Sequence, residues 1–121
     1  MAKILIVDDE PDVVEFEKIL LIKRNHEVFS ATNISDAIKI IRSELPDIVL
    51  SDVKLDTDIA GLTIAEAAKK IKPEIVIYLI TGLLDGEIEK RALKLGVMEI
   101  LSKPIPNKVL EEKIEIAIPK K

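Results

Sequence analysis

Asp8, Asp9 and Glu10 form an unbroken row of acids directly after the apolar run "ILIV". A fourth acid, Asp52, follows "DIVLS", Thr81 follows "VIYLI", and Lys103 follows "EILS". Two carboxylates about 5 Å apart repel by roughly 3 kcal/mol at an effective dielectric near 20, so such a row needs a cation among it or a retained proton. Hard carboxylate oxygens with no His or Cys beside them select Mg²⁺ or Mn²⁺, and Mg²⁺ keeps one or two carboxylates, several waters and a phosphate oxygen. A carboxylate is also a nucleophile toward phosphorus and forms an aspartyl phosphate. Metal on one side and Lys103 on the other would neutralise the equatorial oxygens during in-line transfer. Taken singly, each residue has a plainer reading: helix-end charge, a turn acid, a turn hydroxyl and a solvated lysine. Their joint position at the ends of similar runs favours the chemical reading.

The elements that must position them follow one rhythm. Short β-branched runs at 3–7, 27–31, 47–51, 75–80 and 97–101 alternate with stretches whose apolar residues return every three or four positions. The predicted core faces of those helices are Val13, Phe16 and Leu20, then Ala37, Ile38 and Ile41. Leu62, Ala65 and Ala68 follow, then Ile88, Ala92 and Leu95, and finally Val109, Leu110 and Ile114. Pro11 suits a first helical turn, Pro46 and Pro73 precede strands, and Gly96 suits a helix end. Repeated strand and helix units force parallel strands with helices on both faces. Sheets of this kind bind ligands beyond the carboxyl ends of their strands, where the strand order reverses, and the acids, Thr81 and Lys103 all stand at such ends.

Composition excludes several other classes. The chain has 121 residues, enough for one domain and one core, and 48% are hydrophobic against 33% charged. The net charge of −4 gives no general attraction to nucleic acid or anionic lipid. The basic clusters Lys69-Lys70-Lys72, Lys90-Arg91-Lys94 and Lys120-Lys121 have almost no aromatic company, since only Phe16, Phe29 and Tyr78 are present, and they read as solvated helix faces. The absence of cysteine excludes disulfides and thiolate sites. No apolar run approaches the length of a membrane span, no signal peptide is evident, and a cytoplasmic location is the default. The single His26 reads as an exposed residue away from the acids.

"ILIVDDEPD", "DIVLSDVKL", "VIYLITG" and "EILSKPIP", in this order and spacing, resemble the receiver domain of two-component response regulators across the whole chain. The resemblance implies a single receiver domain over residues 1–121 with no output domain. Its fold would be α/β and flavodoxin-like, a (βα)5 chain with a five-stranded parallel sheet of order 2-1-3-4-5 in three α/β/α layers. It implies Asp52 as phosphoacceptor, with phosphate from a histidine kinase or a histidine phosphotransfer protein. Mg²⁺, or Mn²⁺, would be bound by Asp9, Asp52 and the Lys54 backbone carbonyl, with Asp8 acting through a water. Thr81 and Lys103 would each meet a phosphoryl oxygen, and the Lys103–Pro104 peptide would be cis. Glu10 is left to helix capping. The implied partners are the phosphodonor and a downstream protein, with phosphorylation-dependent dimerisation as a further option and neither nucleic acid nor membrane bound directly.

The sequence departs from that family at informative points. Ile100 stands where members carry an aromatic three residues before the lysine, which raises a second reading, a receiver-like binding module that does not switch. Asp56 replaces a common proline, and the loop "LDTDIAGL" is one residue longer, placing Asp56 and Asp58 as loop-solvating acids or as modifiers of metal affinity. Lys54 and Leu83, two residues past Asp52 and Thr81, are expected to slow attack of water on the acyl phosphate. Lys54 also weakens a third reading, an Mg²⁺-dependent phosphohydrolase, which would want an acid at that offset.

Overall fold

The computed structural model describes residues 2–83 and 85–118; the Lys120-Lys121 pair and the "IPKK" ending lie outside them in whole or in part. Ten elements alternate without exception. They are β1 (Lys3–Val7), α1 (Pro11–Lys23), β2 (Glu27–Ala31), α2 (Ile34–Glu44), β3 (Ile48–Asp52), α3 (Ala60–Ile71), β4 (Val76–Thr81), α4 (Gly86–Lys94), β5 (Glu99–Ser102) and α5 (Asn107–Ala117). All strand pairs are parallel and the order is β2-β1-β3-β4-β5, the flavodoxin-like order implied by the resemblance. The order reverses beside β1, so the carboxyl ends of β1 and β3 flank the crevice where such sheets bind ligands.

Alternation along the strands divides the interior into two cores. Leu5, Val7, Val49, Ile77 and Leu79 face α2, α3 and α4, where Ala37, Ile41, Ala65, Ala68 and Ala92 meet them. Ile4, Ile6, Ile48, Leu50, Tyr78 and Ile80 face the other way, against Val14 and Leu21 of α1 and Leu110 and Ile114 of α5. A strand buried on both faces has no polar side to show, which is why these runs read as continuous rather than alternating.

Local chemistry sets the element ends. Pro11 occupies the first turn of α1 as expected, and the Asn33 side chain caps α2 by accepting from Asp36 N. At the end of α4, Gly96 adopts φ +90, and the Val97 and Gly96 amides donate to the Ala92 and Leu93 carbonyls at 3.1 Å each, a Schellman closure. That closure takes up Val97, so β5 starts at Glu99 rather than at 97. β3 and β4 likewise begin one residue later than the sequence pattern suggests.

α1 corrects the expected face. Val14, Glu17 and Leu21 are its buried residues, whereas Phe16 is 56% exposed. Apolar residues run nearly all round this helix, so their spacing does not fix its rotation, and a carboxyl in the true stripe hides the phase.

The amino ends of the strands are tied by charge. Lys72 Nζ donates to the carbonyls of Leu45 and Pro46 at 3.0 and 3.1 Å and lies 3.4 Å from Asp47 Oδ1, while Asp47 Oδ2 accepts from Lys3 N at 2.9 Å. Lys69 Nζ donates to Ile75 O at 2.6 Å. Two of the three lysines in the Lys69-Lys70-Lys72 cluster, read as solvated, therefore satisfy main-chain carbonyls. Lys70 keeps to the surface, 3.6 Å from Glu66. Among the described residues no helix is long and apolar enough to cross a membrane.

Candidate functional site

Asp8 continues β1 by one ladder step, its N–H donating to Ala31 O at 3.1 Å, and it is 3% exposed. Its Oδ1 accepts from Glu10 N at 2.9 Å, a side-chain turn that folds the acid row back on itself. Carboxylate oxygens of Asp8, Asp9 and Glu10 consequently lie within 4.8 Å of one another. Glu10 holds the N-cap position of α1, but its side chain makes no capping hydrogen bond. It lies instead 3.6 Å from Lys103 Nζ, so the capping role expected for it gives way to the charge of the site.

Asp52 is the last residue of β3 and is buried. The backbone behind it is pressed close by α3, because Gly61 N donates to Val53 O at 2.9 Å. A Cβ at Gly61 would stand 2.7 Å from Asp52 O and 2.9 Å from Val53 Cα, so this approach requires glycine. Sequence reasoning passed over Gly61, whose signal was a glycine in the first turn of a helix otherwise rich in good helix formers.

Lys103 is fixed by its own backbone, with its N–H donating to Thr81 O at 2.9 Å and a cis peptide to Pro104, as the resemblance implied. Its Nζ donates to Asp52 Oδ2 at 2.9 Å and lies 3.5 Å from Asp8 Oδ2. One ammonium therefore serves acids from β1 and β3. Burial pushes the Asp52 carboxyl up to about 6; the Lys103 hydrogen bond pulls against this and the Asp8 charge adds to it. Burial works against the Lys103 ammonium, but the Asp52 hydrogen bond and the surrounding acids outweigh it and raise its pKa.

Thr81 ends β4, where its Oγ1 donates to Leu83 O at 2.9 Å and accepts from Leu83 N at 3.2 Å. The hydroxyl is thus occupied within its own turn. An open pocket of ≈ 400 Å³ joins Asp9, Asp52, Lys54, Thr81, Leu83 and Lys103, so the fold brings the residues singled out from sequence onto one rim. Asp8 adjoins it through Lys103.

Further polar residues add to this picture, and His26 corrects an expectation. Asp56 Oδ1 lies 3.4 Å from Ile34 N, tying the β3–α3 loop to the start of α2; Asp58 is exposed. His26 is buried rather than exposed, at 7%, because its Nδ1 accepts from Ala2 N at 3.1 Å. Burial lowers its pKa, which keeps the ring neutral for that bond, and the residue does lie away from the acids. Glu17, unremarked in the sequence, is 8% exposed. Burial first, then the Asp8 charge, raises its carboxyl to about 7, with Lys103 opposing and Asp52 adding. Its spacing from Val14 and Leu21 was the available signal.

Residues 4–115 match the family described as the response regulator receiver domain. Response regulator protein PilR of Pseudomonas aeruginosa is 35% identical over 118 residues, 96% of this chain and 26% of PilR. Transcriptional regulatory protein GlrR of Escherichia coli is 24% identical, over 97% of this chain and 26% of its own length. The chain thus spans about a quarter of the length of these curated relatives. Among solved structures, a response regulator receiver domain from Clostridium thermocellum superposes with a TM-score of 0.89 at 32% identity, covering 98% of this chain and 94% of that one. A CheY-like receiver domain from Methanospirillum hungatei gives 0.90 at 29%, covering 96% and 92%.

Proposed function

The chain belongs to the response regulator receiver domain family of two-component systems, and from that premise we propose that it is a phosphoacceptor switch modified on Asp52. The donor is a phosphohistidine of a histidine kinase or of a histidine phosphotransfer protein, in the cytoplasm. The observation that carries this reading is the buried Asp52 paired with half-buried Lys103 at 2.9 Å on a rim shared with three further acids. A carboxylate oxygen of Asp52 attacks phosphorus; the new O–P bond forms as the P–N bond to the imidazole breaks, and the ring leaves with that electron pair. Lys103 stays beside the modified residue and offsets charge on a phosphoryl oxygen. Thr81 exchanges its bond to Leu83 O for one to another phosphoryl oxygen, a change that carries the turn after β4 with it.

The donor set fits a small hard cation, because among the described residues the carboxylates held within 4.8 Å of one another have only Lys103 in ion-pair range. Asp8, Asp9 and Asp52, with the Lys54 backbone carbonyl, would hold Mg²⁺ or Mn²⁺, which when bound offsets negative charge on the phosphoryl group. Glu10 joins that acid set as a further oxygen donor.

The product of the reaction is a changed surface rather than a released metabolite, so the protein acts as a switch and not as a turnover enzyme. Reversing a population from 1:99 to 99:1 takes about 5.5 kcal/mol of differential interaction, within reach of new charge-assisted bonds at Thr81 and Lys103. A downstream protein then binds one form, and a dimer of the phosphorylated form is one such outcome. The non-switching alternative rests on Ile100, half-buried against the α2–α4 core and lining a cleft of ≈ 70 Å³ with Thr81, Leu83 and Ile88.

Intact mass after incubation with Mg²⁺ and acetyl phosphate separates the readings. A single labile phosphoryl adduct, absent from Asp52→Asn, supports the switch. No adduct supports the silent module, and rapid turnover of varied phosphate esters supports a hydrolase.

A further inference from the structure

A second cleft, ≈ 580 Å³ in volume, lies between α1 and the segment running from Pro104 to Leu110. Small-molecule sites typically occupy about 300–1,000 Å³ and combine apolar walls with a few placed polar groups. Phe16, Ile80, Ile105 and Leu110 supply the apolar walls here. Its charged lining is Asp8, Glu10, Asp12, Glu17 and Lys103; Asp8 and Glu10 belong to the acid set that would hold the metal, which leaves Asp12 and Glu17 as the cleft's own acids. Lys103 is already held by Asp52 at 2.9 Å.

Glu17 is the placed polar group. It is more than nine-tenths buried, yet its carboxyl makes no hydrogen bond or ion pair with the described residues. Because no partnerless side-chain oxygen in the described residues is sealed from solvent, those of Glu17 open onto the cleft that it lines. It is not a member of the tight carboxylate group of Asp8, Asp9 and Glu10, although the charge of Asp8 reaches it. Burial first and then the Asp8 charge raise its carboxyl to about 7, with Lys103 opposing.

We infer that this cleft binds a small organic cation with a flat apolar body, its ammonium or amidinium group against Glu17 and its body against Phe16 and Ile105. The excess of acids disfavours anions, and the apolar walls disfavour a hydrated metal ion, which keeps its waters. The inference stands on the cleft alone and does not require Asp52 to be phosphorylated.

Benzamidine and its neutral near-isostere benzamide provide the test, titrated into the ¹⁵N-labelled chain under saturating Mg²⁺ and followed by amide shifts. Benzamidine is expected to shift Val13, Phe16, Glu17, Ile105 and Leu110 saturably and to bind at least about tenfold more tightly than benzamide. Glu17→Gln is expected to remove most of that preference while leaving the circular dichroism spectrum unchanged. Equal affinity for the two probes overturns the inference, as does the absence of any saturable shift. Shifts confined to Asp9, Asp52 and Lys54 and lost on adding Mg²⁺ also overturn it, by placing the cation in the acid rim. If the variant fails to fold, the two probes on the wild-type chain still decide.

Discussion

Glu17 holds its proton into the neutral range when folded, whereas in an unfolded chain a glutamate titrates near its ordinary 4.5. Between those values the folded form keeps a proton that the unfolded form releases, so raising the pH through this window weakens folding. A shift of that size corresponds to about 3 kcal/mol, fully present below pH 4.5 and lost above pH 7. Urea unfolding of metal-free wild type and Glu17→Leu at pH 5 and pH 8 should therefore diverge, with the wild type losing on the order of 2–3 kcal/mol more. Parallel losses in the two proteins would remove Glu17 as the cause. On the proposed function, Lys54 and Leu83 would act on the lifetime of the phosphorylated state. Leu83 is 76% exposed and lines the Asp52 pocket, where on the proposed function its side chain would stand between bulk water and an acyl phosphate. The double alanine variant is expected to lose phosphate about three- to tenfold faster, roughly 1 kcal/mol off the barrier, as read by intact mass over time. An unchanged decay would show that neither side chain obstructs water. At this scale the acids, Thr81 and Lys103 were legible because each ends an aliphatic run. Glu17 and His26 were not: the one sign of Glu17's burial was its spacing from Val14 and Leu21, which the apolar residues elsewhere on α1 obscured, and His26 is buried through a bond to Ala2 N that forms only in the fold.

The helices differ in how closely they approach the sheet. α3 comes close enough at Gly61 that a Cβ there would stand 2.7 Å from Asp52 O. Gly61→Ala improves intrinsic helix propensity, by up to about 1 kcal/mol, yet places a methyl group against two backbone atoms that cannot rotate away. We expect a net loss of about 1–3 kcal/mol in denaturant unfolding, together with slower modification of Asp52 by acetyl phosphate. Unchanged stability would mean that β3 shifts freely, contrary to its place between β1 and β4. Element boundaries at turns were readable where a residue type dictates geometry, as Pro11 and Gly96 do. The rotation of α1 was not, because a helix apolar on most sides presents no phase to read. Nor was the hold of Asp56 on α2, which depends on a loop conformation that the residue order does not encode.

Across the whole molecule the acid rim is a standing electrostatic debt that a cation relieves. Addition of Mg²⁺ should raise the melting temperature, by the equivalent of about 2.7 kcal/mol at one hundred times the dissociation constant, and chelation should reverse it. Asp9→Asn is expected to shrink that Mg²⁺ increment without lowering the metal-free melting temperature, since Asp9 is exposed and removal of one like charge relieves repulsion. An increment as large in the variant as in the wild type would place the bound ion elsewhere. The layered fold was legible because five alternations of strand and helix leave few right-handed arrangements. The tie among Lys72, Asp47 and Lys3 N was not, for it joins residues that meet only once the sheet has formed.

That tie lies at the amino ends of the strands, opposite the acid rim at their carboxyl ends. Since the chain contains no cysteine, a thiol introduced at exposed Glu74, beside the amino end of β4, would be unique. Coupled there to a sensor chip or a dye, every copy would stand in one orientation with its acid rim facing solution, a geometry suited to watching single phosphorylation events one molecule at a time.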